Sequence, residues 1–212
     1  MANPEPDSDS KAGTSRDDLV QRLELMEQLI AEGRQTTMRC GWIFVLWGLV
    51  DLAGMGWQTE LPHSQWVWPT CLGTGVILQV IGLALWKRSR PRCKGVQSRS
   101  VQAVWSMMGL AMVIYVFTAL FTHFAWQYSY LSALLIIVGL AHAISAMILR
   151  WPVQGVVAAI WWAGAVAILV CNSFRAANLI FLIEMCFGMI AFGLYVMWLE
   201  GRNHDGLKGA RA

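Results

Sequence analysis

Six apolar stretches of about 18 to 24 residues run through this 212-residue chain, near Cys40–Trp57, Trp66–Trp86, Val101–Thr122, Tyr128–Leu149, Trp151–Cys171 and Ala176–Leu199. That is the length an α-helix needs to cross a hydrocarbon core of roughly 30 Å. Backbone groups in lipid must be satisfied internally, so a spanning segment is either a helix or a strand of a closed barrel. The stretches show no alternation of period two, which removes the barrel and leaves an all-α, polytopic transmembrane bundle of six helices. Composition agrees: 57% of residues are hydrophobic, 14% are charged and the mean hydropathy is +0.50. A soluble domain carries about a quarter charged residues.

Charge sets the orientation. Of the 16 Lys and Arg residues, all but Arg175 fall before the first stretch, between the second and third, at Arg150 between the fourth and fifth, or after the sixth. With six spans those places share one face. The positive-inside rule makes that face cytoplasmic, so both termini are expected inside. Tryptophans support the boundaries, because nine of the 12 (Trp42, Trp57, Trp66, Trp68, Trp86, Trp105, Trp126, Trp151 and Trp198) stand near predicted span ends. An amphipathic ring prefers that depth. Met1 to Ser15 is polar and acidic and lacks the order of a cleavable signal, so the first span is expected to insert itself.

Ser15 followed by Asp18 reads as a helix start. A helix from about Arg16 to Gln35 would then carry Leu19, Leu23, Met26 and Ile30 on one stripe, at spacings of four, three and four. Acidic Asp17, Asp18, Glu24, Glu27 and Glu32 oppose binding flat on anionic lipid. The stripe is therefore a candidate docking face, for a second copy or a partner, or a face packed on the chain's own membrane domain. The domain plan is a disordered tail at 1–14, a cytoplasmic amphipathic helix at 15–38, the membrane domain at 39–200 and a cytoplasmic tail at 201–212.

An ionisable side chain inside a bilayer must be paired, protonated or turned to water. Asp51, His142 and Glu184 qualify, with Gln79 as an uncharged companion. Counting from the span centres puts Asp51 and Glu184 at nearly one depth, slightly outward of the midplane, with His142 and Gln79 on the cytoplasmic side. Each stands beside small residues on one helix face: Gly48 with Asp51; Cys71, Gly75, Gln79 and Gly82; Gly139, His142 and Ala146; Glu184, Gly188, Ala191 and Tyr195. Such faces form helix–helix seams. Two readings stay open: a proton or cation site at Asp51 and Glu184, or protonated acids serving as interhelical hydrogen-bond donors. Glycines at similar depths (Gly48, Gly109 and Gly164 in odd spans) allow either three copies of one hairpin or the ordinary enrichment of glycine in membrane helices.

Other chemistry is thinly represented. The second connection carries Lys87, Arg88, Arg90, Arg92, Lys94 and Arg99 with no acid, which either fixes topology or contacts anionic lipid head groups. Ser132 and Ser145 share a span with His142, but no glycine-flanked nucleophile accompanies them and no enzyme is expected. The five cysteines show no metal-ligand or disulfide spacing, so no metal, cofactor or nucleic-acid partner is expected.

The junction Leu25-Met26-Glu27-Gln28-Leu29-Ile30, a polar gap, then Phe44-Val45-Leu46-Trp47-Gly48 resembles the start of small prokaryotic six-span integral membrane proteins that open with a short cytoplasmic amphipathic helix. The resemblance implies a bacterial cytoplasmic membrane protein of the same plan and carries no functional residues with it. Assembly or partner docking through the 16–35 helix is the leading expectation. A proton- or cation-coupled carrier or channel using Asp51 and Glu184 is the alternative.

Overall fold

The computed structural model describes residues 19–31, 34, 37, 40–60, 66–89, 96–121 and 128–209, excepting the side chains of 86–89, 96–98, 120–121, 128 and 203–209. The described part is helical throughout, without strands: α1 at 19–31, α2 Gly41–Glu60, α3 Val67–Ser89, α4 Val96–Phe121, α5 Tyr128–Leu149 and α6 Pro152–Cys171. A last, unbroken helix follows as α7 Phe174–Glu184, a wide π-helical stretch Met185–Ala191, and α8 Phe192–Gly209. Five helices are long and apolar enough to cross a membrane, over Val67–Leu85, Arg99–Ala119, Ser129–Leu149, Pro152–Cys171 and Phe174–Arg202. Gly41–Glu60, read from sequence as the first span, is also 20 residues long, but Asp51, four glycines and three tryptophans dilute its hydropathy. It is not among the five. The tail and helix-start readings at 1–18 lie outside the described residues.

The α5–α6 hairpin is the centre of the bundle. Its turn closes by two hydrogen bonds, Trp151 N–H to Ala146 O (3.0 Å) and Arg150 N–H to Met147 O (3.4 Å). These satisfy the last carbonyls of α5 in the pattern of a Schellman cap. Arg150 occupies the left-handed position of that cap, with φ of 48°. Pro152 then opens α6, where its missing N–H has no helical partner to lose. Ser132 Oγ donates to Ala165 O at 2.9 Å, pinning the other end of the hairpin.

Around this hairpin, α4 packs on α5, the last helix packs on α6 and α2, and α3 packs on α2. The seams are built by close approach rather than by hydrophobicity, since lipid tails are as apolar as the side chains. Gly41 and Gly193 face each other so closely that a Cβ on either would meet the other's carbonyl oxygen, at 2.9 and 2.8 Å. Tryptophan rings seat on glycines elsewhere: Trp42 on Gly82, Trp68 on Gly54, Trp162 on Gly139 and Trp161 on Gly188. Several tryptophans expected at the interface are therefore packing elements, Trp42, Trp68 and Trp105 half-buried and Trp151 buried. Trp57 and Trp66 remain exposed near helix ends, and Trp198 is exposed near the end of the apolar window Phe174–Arg202.

One predicted face is corrected. Glu184 and Gly188 are buried, but Ala191 and Tyr195 are exposed, and Phe192 and Val196 take the inner positions. The cause is the π-helical stretch, whose wider turns advance the buried stripe to spacings near four. The other three faces keep their small residues inside or at seams.

Candidate functional site

His142 is fully buried on α5, enclosed by aromatic rings from four other helices. Phe44 of α2 stacks on it with ring centres 5.7 Å apart, and Trp161 of α6 stacks at 6.4 Å. Trp105 of α4 and Phe192 of α8 meet it edge-on at 4.9 and 5.1 Å. The sequence supplies this box because Phe44 lies one helical turn before Gly48, on the inner stripe of α2, and Trp161 is three residues before Gly164 on the inner stripe of α6. Neither imidazole nitrogen has a hydrogen-bond partner.

The orphaned polar atoms do not stop at His142. Among the described residues, buried side-chain atoms without a partner are the two His142 nitrogens, Ser145 Oγ, both amide atoms of Gln154, the indole nitrogens of Trp105 and Trp161, and Glu184 Oε2. All but Trp105 on α4 can be ordered in depth by helix register. A Cβ on Gly155 would lie 3.8 Å from Ala146 Cβ, and one on Gly139 would lie 3.1 Å from Trp161 Cβ. That antiparallel register sets Ser145 opposite Gln154 at the start of α6, with His142 and Trp161 one level further in. Glu184 comes next: its Oε1 lies against Gly164 of α6, where a Cβ would displace it. Gly188, one turn along the last helix, carries the Trp161 indole nitrogen on its open face. Gln154 and Gly164 are ten residues apart on α6, so these residues cover about 15 Å of depth, half the hydrocarbon thickness.

Asp51 lies apart from these residues though close to Glu184 in depth. Gly48 meets Met189 and Ile190 of the last helix, which brings Asp51 within one helical turn of the level of Glu184. The two acids face different seams. Glu184 points at α6, whereas Asp51 is half-buried within electrostatic reach of Cys71 of α3 and Tyr130 of α5. Gln79 belongs to neither: its Oε1 accepts a 2.7 Å hydrogen bond from Trp47 Nε1 and clasps α3 to α2.

At the end of the bundle that carries the α5–α6 turn, Arg34 donates from Nε to Leu149 O (2.9 Å) and from Nη2 to Arg150 O (2.7 Å). A cation at the negative end of α5 is favourable twice over, as a charge on the helix dipole and as a donor to unpaired carbonyls. Arg34 thereby ties the root of the N-terminal helix to the hairpin. Beyond that root, Leu19, Leu23 and Met26 are exposed, and only Ile30 of the stripe is half-buried. Of the basic cluster, Arg99 is exposed in the first turns of α4. Lys87 and Arg88 lie on α3, which runs to Ser89, and their side chains are outside the described residues, as are Arg90, Arg92 and Lys94 altogether.

No protein-family profile, curated protein or solved structure matches the chain. Site residues that sequence reasoning missed are Gln154, Trp105 and Trp161. Gln154 was findable, as an amide inside a predicted span. The two tryptophans were not, because helical spacing shows which residues share a face but not which ring from another helix fills it.

Proposed function

We propose that this chain is a six-span protein of the bacterial cytoplasmic membrane, with both termini in the cytoplasm, that acts without catalysis through assembly or partner docking by its 16–35 helix. The observation that carries this is the contrast along that helix: Arg34 holds its root on the hairpin while Leu19, Leu23 and Met26 stand exposed. An exposed apolar stripe on an anchored helix is a recognition surface rather than a core element. As the sixth span, Gly41–Glu60 has the required length and puts Gly41, Phe44 and Gly48 inside the bundle. Replacing Leu19, Leu23 and Met26 by Gln is expected to lower the oligomeric mass in detergent or to abolish recovery of a partner, with the thermal stability of the bundle unchanged. An unaltered mass and partner profile would sink the reading.

A second reading is favoured by a specific feature, the buried and half-orphaned Glu184 at the junction of α- and π-helical segments with Asp51 near its depth. Intramembrane acids mark ion or proton pathways by default, and π-helical stretches are frequent at functional sites. On this reading the protein is a proton- or cation-coupled carrier or channel. Asp51→Asn or Glu184→Gln would then abolish a proton-dependent flux in liposomes while leaving the fold intact; equal flux in both variants and the parent refutes it.

A further inference from the structure

We propose that the N-terminal helix is covered by the same helix of a second copy of the chain, the two lying parallel and in register as a short coiled coil flanked by Arg22 of each copy on the partner's Glu27. The proposal rests on the first reading above, in which this helix is a docking surface, and names its occupant.

The stripe has the spacing of a two-stranded seam. Leu19, Leu23, Met26 and Ile30 follow at four, three and four residues, the heptad alternation whose a and d positions face a partner helix. Leu23 and Ile30 take the a positions, and Leu19 and Met26 the d positions. Every residue from Leu19 to Gln28 is exposed, and Leu29 and Ile30 are half-buried at the root of the helix. The chain's own bundle thus leaves Leu19, Leu23 and Met26 uncovered. A lone helix of about a dozen residues is marginal in water, so burial of this seam against a partner is what stabilises it.

Charge selects the partner and its direction. Residues at g and e flank such a seam, and in a parallel pair each g side chain meets the e side chain of the partner's next heptad. Arg22 stands at g and Glu27 at the e position that follows, both exposed. A parallel second copy therefore gains two symmetric Arg22–Glu27 pairs, as an isologous interface requires. Turning one helix round removes both: Leu19 then meets Ile30, and the flanking positions set Arg22 beside Leu29 and Glu27 beside Val20. Each charge would face an aliphatic side chain. The membrane favours the same partner, because Arg34 ties the helix root to the α5–α6 turn. Two copies inserted alike present their helices on one side of the bilayer, at raised effective concentration.

Sedimentation of the full chain in detergent, with cross-linking in liposomes, tests this. The parent should be a dimer. Glu27→Arg sets arginine against Arg22 twice over, and Arg22→Glu sets acid against Glu27 twice over. Each should weaken the dimer by about tenfold, and the double variant R22E/E27R should restore the parental affinity. On oxidation Leu19→Cys should bridge two copies faster than Gln28→Cys on the outer face, with the parent giving the background from its own cysteines. In an antiparallel pair the two Leu19 positions lie about 16 Å apart along the axis, too far to bridge. A monomeric parent, single charge variants without effect, a double variant no tighter than the singles, or no excess cross-linking at position 19 overturns the proposal. If the Gln replacements at Leu19, Leu23 and Met26 abolish recovery of a different protein while the charge variants leave the mass unchanged, the docking reading stands and the second copy is refuted. An unchanged mass and partner profile in every variant sinks both.

Discussion

Gly193→Ala provides the sharpest test of the packing between α2 and the last helix. A Cβ at Gly193 would lie 2.8 Å from Gly41 O, 2.8 Å from Val45 Cγ2 and 3.0 Å from Val45 N. Two of those three neighbours are backbone, so no rotamer change relieves them. The helices must part by about 0.6 Å to restore ordinary contact, and a gap of that size forfeits roughly a quarter of the dispersion energy across the seam. Overpacking of this kind costs about 1–3 kcal/mol, and for a chain of this length each kcal/mol lowers the melting temperature by about 2–4 °C. The expected loss is therefore about 2–12 °C, followed by tryptophan fluorescence during heating in detergent. Gly73→Ala and Gly109→Ala are the controls, because nothing lies within 4 Å of a Cβ built at either. They should leave the melting temperature unchanged or raise it, since Ala favours a helix by up to about 1 kcal/mol over Gly. A stable Gly193→Ala variant, or an equal loss in the Gly109 control, would refute the assignment of α2 and the last helix as direct neighbours.

Three further outcomes follow from single contacts. Ser132→Ala removes the buried bond to Ala165 O and should cost about 0.5–1.5 kcal/mol, read as a lower melting temperature; no change would mean that the bond adds nothing to the hairpin. Arg150→Gly relieves a left-handed residue in the Schellman turn and should stabilise by about 1 kcal/mol, whereas Arg150→Val should destabilise; the same assay separates them, and a destabilised Gly variant would contradict the turn geometry. Arg34→Ala frees two carbonyls at the end of α5 and unties the N-terminal helix, so trypsin should cut at Arg22 about tenfold faster, corresponding to roughly 1.4 kcal/mol of local opening. Arg34→Lys should be intermediate, because an ammonium cannot reproduce the fork that reaches both oxygens; equal cutting in all three proteins would show that the clamp does not hold the helix.

Much of this protein was legible from sequence because lipid restricts the alternatives. Run length and the absence of two-residue alternation required long helices, and the predicted stretch Tyr128–Leu149 coincides with α5 end for end. Spacing within a helix also identified real seam faces, as Gly75 and Gly82 against Trp47 and Trp42 show. It failed at Ala191 and Tyr195, where a π-helical stretch changes the period that every such count assumes. Counting alone gave Asp51 and Glu184 a common depth, and the contacts of Gly48 put them within a turn of one another in level. That they look into different seams was beyond any count.

The primary sequence by itself determined which segments are helical, which carry ionisable groups into an apolar environment and where positive charge collects, since these depend on chain length, local period and residue type. Tertiary structure alone decided what stands opposite each face. Only the packing of five helices sets Phe44, Trp105, Trp161 and Phe192 around His142 and buries Gln154, Ser145 and Glu184 within the bundle. The fork of Arg34 on the last carbonyls of α5, more than a hundred residues away in sequence, belongs to the same class. The physical reason is common to all of them: a one-dimensional period orients a side chain about its own helix axis, while its partner is set by the axial register between helices far apart in the chain.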